Sequence, residues 1–472
     1  MPVAAWRWFL CAAILWVAAP VLGQDRVAMG EKIVAEALNS PGAYEILAHL
    51  TDRIGPRLSG SRNADLAVRW TTEQFRQWGI PVRNERVMVP RWVRGAERAR
   101  LVSHNNQRLV LTTLGDSVAT PAEGITADVI EVRSRDELSG LGRAKIAGRI
   151  VFYSAAMDMK LVEAGSAFAA YSKAADFRSR GADAASKYGA LAVVTRSVAS
   201  ASLRTPHTGA LRYKEGRKIP AAALAAEDAM HLQRLLAKGD RVRLNLVLTP
   251  QTLADVASAN VVAEIRGVEN PQEIVLIGGH LDSWDVGTGA IDNGAGVAMV
   301  METMRLFKQL GIRPRRTIRC VLFMNEENGL RGGRAYAADH AAELDRHVAA
   351  IESDGGASKP MGFRTTLGGA DRDAFAARMN RVLRRVGATE FATVEKHTGA
   401  DTSRIIDAGV PGFGYASDPR HYFDYHHSPA DTLDKVDRDE LNGGVAAIAA
   451  LAYLISEEDQ PIPRPAKRKS EE

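Results

Sequence analysis

The sequence predicts an α/β protein, with a mostly parallel central sheet flanked by helices and interrupted by an inserted α+β unit. Three observations predict it. From residue 259 onward, short apolar runs alternate with stretches at helical spacing, the pattern of strands buried on both faces and joined by helices. Between about residues 99 and 249 the texture changes to short β-like runs separated by long polar or alanine-rich stretches. The chain has 472 residues, 46% hydrophobic and 25% charged. That is too much for one core, since domains run to about 100–200 residues.

Taken in order, residues 1–23 read as an export signal. Arg7 supplies the positive start, an apolar stretch follows, and Val21 and Gly23 suit cleavage before Gln24. About 15 apolar residues interrupted by Pro20 fall short of the roughly 20 that span a bilayer, so no stable membrane anchor is expected after cleavage. The destination would be the periplasm or the exterior. Residues 24–98 form the first part of the main domain, with helical periodicity over 27–50 and 63–78 around the turn-rich stretch 55–61. Residues 99–249 form the inserted unit, with β-like runs at 149–153 and 190–194. Residues 250–456 complete the main domain. Strands are expected there at 261–265, 274–277, 317–324, 348–351 and 410–415, and helices at 295–310, 333–345, 374–386 and 438–455. The Pro- and charge-rich tail 457–472 is expected to be disordered.

Composition excludes several classes. Two cysteines cannot staple a chain this long, and cleavage would remove Cys11 and leave Cys320 alone. The 61 basic and 56 acidic side chains are nearly balanced and spread along the chain. The basic runs at 91–100, 313–319 and 467–469 accompany no nucleic-acid motif, so no nucleic-acid partner is expected.

Acids and histidines cluster at the predicted strand ends. The run 274–277 leads into His280-Leu281-Asp282, 317–324 into Asn325-Glu326-Glu327, and 348–351 into Glu352-Ser353-Asp354. In open α/β sheets ligands bind at this carboxyl edge, so residues distant in sequence converge there. With Asp292, in a glycine-rich loop before a helix, and the late His427, the set His280, Asp292, Glu327, Asp354 and His427 has the composition of a site for two divalent metals. Zinc is the first choice, because imidazole and carboxylate without thiolate suit a catalytic rather than a closed structural site. In the doublet Glu326-Glu327 the neighbours face different ways, so one can bind metal while the other stays free as a base.

These stretches, together with residues 279–287, 292–296 and 426–432, resemble the co-catalytic dizinc exopeptidases. The likeness extends to 55–61, 92–95, 124–127, 196–200 and 206–209, and so covers essentially the whole mature chain. The resemblance implies the zinc exopeptidase fold, two Zn2+ ions and small peptide substrates, dipeptides with free termini among them. Asp292 would bridge both metals, with His280 and Asp354 completing one site and Glu327 and His427 the other. His427 is preferred over His426 because it directly precedes Ser428-Pro429-Ala430-Asp431-Thr432. Glu326 would be the general base, taking a proton from the metal-bridging water and passing it to the leaving amine. Asp282 would orient the His280 imidazole, or else cap its loop. The resemblance further implies a cis peptide between Asp292 and Asn293, although relatives often carry an acid where this chain has Asn293. The middle unit resembles the protease-associated domain. Its role is either a roof over the site or packing and dimer surface, and a homodimer is in keeping with relatives. Asp401, Thr402, Tyr415 and Tyr425 are candidates for a substrate pocket. Two other functions share the fold: a glutaminyl cyclase-like transferase with one metal, and an inactive receptor-like binding domain that has lost ligands or base.

Overall fold

The computed structural model describes residues 22–468. Residues 1–21, which hold most of the expected export signal, and residues 469–472 lie outside them. Two eight-stranded sheets form the framework. The first runs in the order Val82–Val93, Gln251–Ile265, Arg316–Phe323, Asn270–His280, His347–Glu352, Gly412–Ser417, Pro360–Thr365, Glu390–Thr393. Its four central strands are parallel, Arg316–Phe323 through Gly412–Ser417. The strand Arg316–Phe323 is buried along its whole length, as a strand with helices on both faces must be.

The margins of this sheet were not legible as strands. Val82–Val93 pairs antiparallel with Gln251–Ile265 over most of its length, and Pro360–Thr365 pairs antiparallel with Gly412–Ser417. Val82–Val93, at the sheet edge, mixes exposed and buried positions, and Pro360–Thr365 is interrupted by half-buried ones, so neither has the continuous apolar run that marks the centre. The expected helix over 27–50 is two helices, Leu22–Leu38 and Gly42–Ala48, because Pro41 has no N–H to continue the first. Helix Arg438–Glu457 is almost wholly buried against Leu22–Leu38 and Ala295–Gln309, which explains its apolar character all round. No helix among the described residues is long and apolar enough to cross a membrane.

Residues 97–248 build the second sheet, in the order Gln107–Leu109, Glu97–Leu101, Arg243–Leu248, Ile125–Val132, Ile150–Tyr153, Ala192–Arg196, Ala221–Leu224, Leu111–Thr113, with apolar clusters of its own on its two faces. Past Glu457 the described part of the chain departs from the expected disorder. Ile462 is buried, and the Arg464 guanidinium donates to the carbonyls of Leu344, Asp345 and His347. Charge-rich composition misled here because the charges have fixed partners. Cys320 is fully buried in the central sheet, where burial pushes its thiol up and keeps it unreactive.

Candidate metal centre

The carboxyl edge of the parallel strands carries the chemistry. His280 ends strand Asn270–His280, Glu326 and Glu327 follow Arg316–Phe323, and Asp354 follows His347–Glu352. Asp292 lies in the loop that leads into helix Ala295–Gln309, and His427 lies beyond Gly412–Ser417. His280 Nε2 is 3.2 Å from Asp292 Oδ1 and 3.3 Å from Asp354 Oδ1. His427 Nε2 is 3.1 Å from Asp292 Oδ2 and 3.0 Å from Glu327 Oε2. Asp292 thus presents one oxygen to each of two histidine–carboxylate groups. His426 stacks on His427 at 3.6 Å between centroids, and its Nε2 lies 3.3 Å from Asp292 Oδ2. His427 touches two carboxylates and so occupies the better position for a ligand.

The donor set fits divalent cations. His280 Nδ1 is 3.0 Å from the Asp282 carbonyl oxygen, and His427 Nδ1 is 3.3 Å from that of Thr208. A hydrogen on each Nδ1 leaves each Nε2 lone pair facing two carboxylate oxygens, a repulsive arrangement unless positive charge lies between them. The electrostatics carry the same demand. Burial opposes charge on His280, yet Asp354 and Asp292 hold its imidazolium well above the ordinary value. Burial likewise opposes charge on His427, and Glu327 and Asp292 overcome it. Burial would raise Asp292, but the two histidines hold it well below the usual carboxylate range.

Around the ligands, backbone and side chains fix the loops. Asp431 accepts from the N–H groups of Ala290, Ile291 and Asp292 at 2.9, 2.8 and 3.2 Å. The Asp292–Asn293 peptide is cis. Asn293 donates from Nδ2 to the Ser353 carbonyl at 2.7 Å and accepts at Oδ1 from Gly296 N–H at 3.1 Å. An aspartate there could not donate, so the amide suits this chain's own packing. Glu327 accepts at Oε1 from Trp284 N–H at 3.1 Å, which leaves Oε2 for His427.

Of the two roles expected for Asp282, its contacts favour the loop-capping one. Its backbone carbonyl meets the His280 ring, whereas its carboxylate is 3.9 Å from that ring. The carboxylate instead accepts from Asn325 N–H at 2.8 Å and Glu326 N–H at 3.1 Å, holding the turn that carries Glu326. Burial, and then the charges of Asp354, Glu327 and Asp292, push Glu326 well above its ordinary value, against the pull of His280. Asp282→Ala would leave both N–H groups unpaired. It is expected to lower kcat about 10–100-fold with bound metal retained, and Asp282→Asn, which keeps an acceptor, should recover part of the loss in the same kinetic assay.

The expected pocket residues divide. Thr402 Oγ1 donates to Glu352 Oε2 at 2.7 Å, and the N–H groups of Ala400, Asp401 and Thr402 converge on the same buried carboxylate. Asp401 is buried close enough to Glu326 and His280 to feel their charges, and both its side-chain oxygens are without hydrogen-bond partners. Tyr415 is fully buried in the main core. Tyr425 packs at the edge of that core, with the Lys435 ammonium 5.6 Å from its ring centroid. These two tyrosines serve packing.

Two features escaped residue-by-residue reading. Arg57 is fully buried and donates to the carbonyls of Leu281, Thr288 and Gly289 at 2.7, 2.7 and 2.9 Å, tying together the loops that carry His280 and Asp292. The signal was an arginine inside the turn-rich stretch 55–61. Arg57→Met would leave three carbonyls unpaired and is expected to cost about 3 kcal/mol or more, read as a lowered denaturant midpoint. The second feature is the contact of Thr208, from the second-sheet segment, with His427. Besides the ring contact, Thr208 N–H donates to the His427 carbonyl at 2.9 Å.

An α/β sheet whose carboxyl edge gathers two histidine–carboxylate groups around a shared aspartate, with a free glutamate alongside, is the framework of a metallo-exopeptidase. The chain belongs to peptidase family M28, whose profile matches residues 260–452. It is 37% identical over 426 residues to carboxypeptidase Q of Mus musculus, covering 89% of this chain and 87% of that protein. The crystal structure of a peptidase M28 precursor from Shewanella amazonensis superposes with a TM-score of 0.89 at 36% identity, covering 94% of this chain and 100% of that one. An aminopeptidase from Aneurinibacillus sp. strain AM-1 shares the fold, with a TM-score of 0.65 at 19% identity over 93% of this chain and 100% of that one.

Proposed function

We propose that the protein is an exported zinc exopeptidase that hydrolyses dipeptides and short peptides, with Glu326 as general base. The observation that carries the reading is Asp292, which turns one oxygen to His280 and the other to His427. Imidazole and carboxylate donors without thiolate favour zinc in a catalytic role. Two zinc ions, held by His280, Asp292 and Asp354 and by His427, Asp292 and Glu327, would supply the Lewis acidity that activates a water and polarises the scissile carbonyl. Glu326 takes the proton of the attacking water and delivers it to the leaving amine nitrogen. Asp282 holds the turn that carries Glu326, and Arg57 and Asp431 hold the His280 and Asp292 loops in register.

A preference for short substrates is in keeping with the setting. The second-sheet segment reaches the site at Thr208, in keeping with a protease-associated-like roof that would limit access by long polypeptides. Export rests on the character of residues 1–23. A panel of free and terminally blocked dipeptides tests the function. Chelator-sensitive hydrolysis restored by zinc is expected, whereas cyclisation of amino-terminal glutamine without peptide hydrolysis would overturn the reading.

A further inference from the structure

The geometry points to the cleft beside Asp354 as the seat of a substrate carboxylate, gripped by Arg364 and attracted by Arg212 and Arg334; this rests on the peptidase reading above. The metal centre is open on the Asp354 side and closed on the His427 side. Around Trp284, Glu327, His427 and Asp431 the residual cavity measures about 10 Å³, too little for a substrate. On the other side Asp354 lines a cleft of about 910 Å³. The Asp354 side chain is correspondingly 23% exposed, against 1% for His280 and 5% for Asp292. A peptide whose scissile carbonyl lies between the ligand groups can extend into this cleft.

The cleft carries more basic than acidic side chains, and three of its arginines have no acidic partner. Arg364, Arg334 and Arg212, which line it, form no ion pair among the described residues. Asp354 is turned to His280, and Asp407, the other aspartate of the cleft, lies 2.8 Å from His397 Nε2. Arg364 is prepared for a ligand. Its guanidinium lies 5.3 Å from the Phe168 ring centroid, and its Nε is buried without a hydrogen-bond partner. A half-buried guanidinium held on an aromatic face presents a fixed planar fork, the shape that binds a carboxylate through two parallel hydrogen bonds. Phe168 and Arg212 come from the second-sheet segment, whereas Arg334 and Arg364 come from the first-sheet domain. The second-sheet segment thus helps choose the substrate as well as covering it.

A peptide can offer this carboxylate from its carboxyl terminus or from an acidic side chain. The zinc-loaded protein would be assayed with a neutral dipeptide, its carboxyl-terminal amide, and the amide of a dipeptide bearing a glutamate side chain. The wild type is expected to favour the free acid over the neutral amide by on the order of tenfold in kcat/KM. In Arg364→Met that ratio should collapse towards one, mainly through KM, with zinc content unchanged, and Arg364→Lys should restore part of it. Arg212→Gln, at an exposed position, should reduce the ratio more modestly and stands in if the Arg364 variant fails to fold. Loss of preference on amidation would assign the terminal carboxylate. Its recovery by the glutamate side chain would assign the side chain, and both outcomes support the cleft. Equal hydrolysis of acid and amides by the wild type, or a ratio untouched in the arginine variants, would overturn the inference and leave the peptidase reading standing. Failure to hydrolyse any peptide would overturn that reading and this inference with it.

Discussion

Glu326→Gln is expected to keep two metal ions per chain and to lower kcat by about three orders of magnitude, within the range seen when a positioned general base is lost. The amide is nearly the same size as the carboxylate and Glu326 is not itself among the five predicted ligands, so folding and metal content should match the wild type. An amide cannot take the proton from water or return it to the leaving nitrogen. The loss should fall on kcat rather than KM, because the base acts in the transition state and not in substrate binding. Metal analysis alongside steady-state kinetics checks both halves. Substantial turnover by a fully metallated Glu326→Gln protein would refute the role.

Asp292→Ala should have the other large effect, and of a different kind. Its two oxygens serve both histidine groups at 3.2 and 3.1 Å, so removing them dismantles both positions at once. Metal content is expected to fall below one equivalent and hydrolysis below detection. Circular dichroism should still report the fold, because the Asp292 backbone N–H and its acceptor Asp431 are untouched. Full metal retention by this variant would remove Asp292 from its bridging role. The contrast with Glu326→Gln is diagnostic: one variant loses chemistry with metal in place, the other loses metal.

The core of the fold was legible because the central strands are continuous apolar runs and each ends in the acids and histidines that the carboxyl edge gathers. His280, Glu327 and Asp354 could be singled out for that reason, and Asp292 by the glycine-rich loop that leads into a helix. His427 lies outside that pattern and was found through the stretch that follows it. The margins were obscure, since Val82–Val93 and Glu390–Thr393 carry polar residues suited to half-exposed strands. The tail at Arg464 read as disorder because backbone carbonyl acceptors leave no trace in a sequence. The same holds at the site. Thr208 meets His427 through its carbonyl, and Asp282 serves Glu326 through backbone N–H groups, so neither contact has a side-chain partner to recognise. Arg57 was hidden for this reason too, its three acceptors being carbonyls. Asp401 and Tyr425 were equally plausible loop residues in the sequence, and only burial separates them: Asp401 lies within reach of the Glu326 and His280 charges, and Tyr425 lies at the core's edge.

The central claim is that two metal positions, sharing Asp292, are both required for hydrolysis. Stepwise return of zinc to the metal-free protein, with dipeptide hydrolysis followed at each addition, tests it most directly. Activity that rises to a break at two equivalents per chain is the predicted result. Full activity at one equivalent, or hydrolysis that persists with the metal removed, would contradict the account.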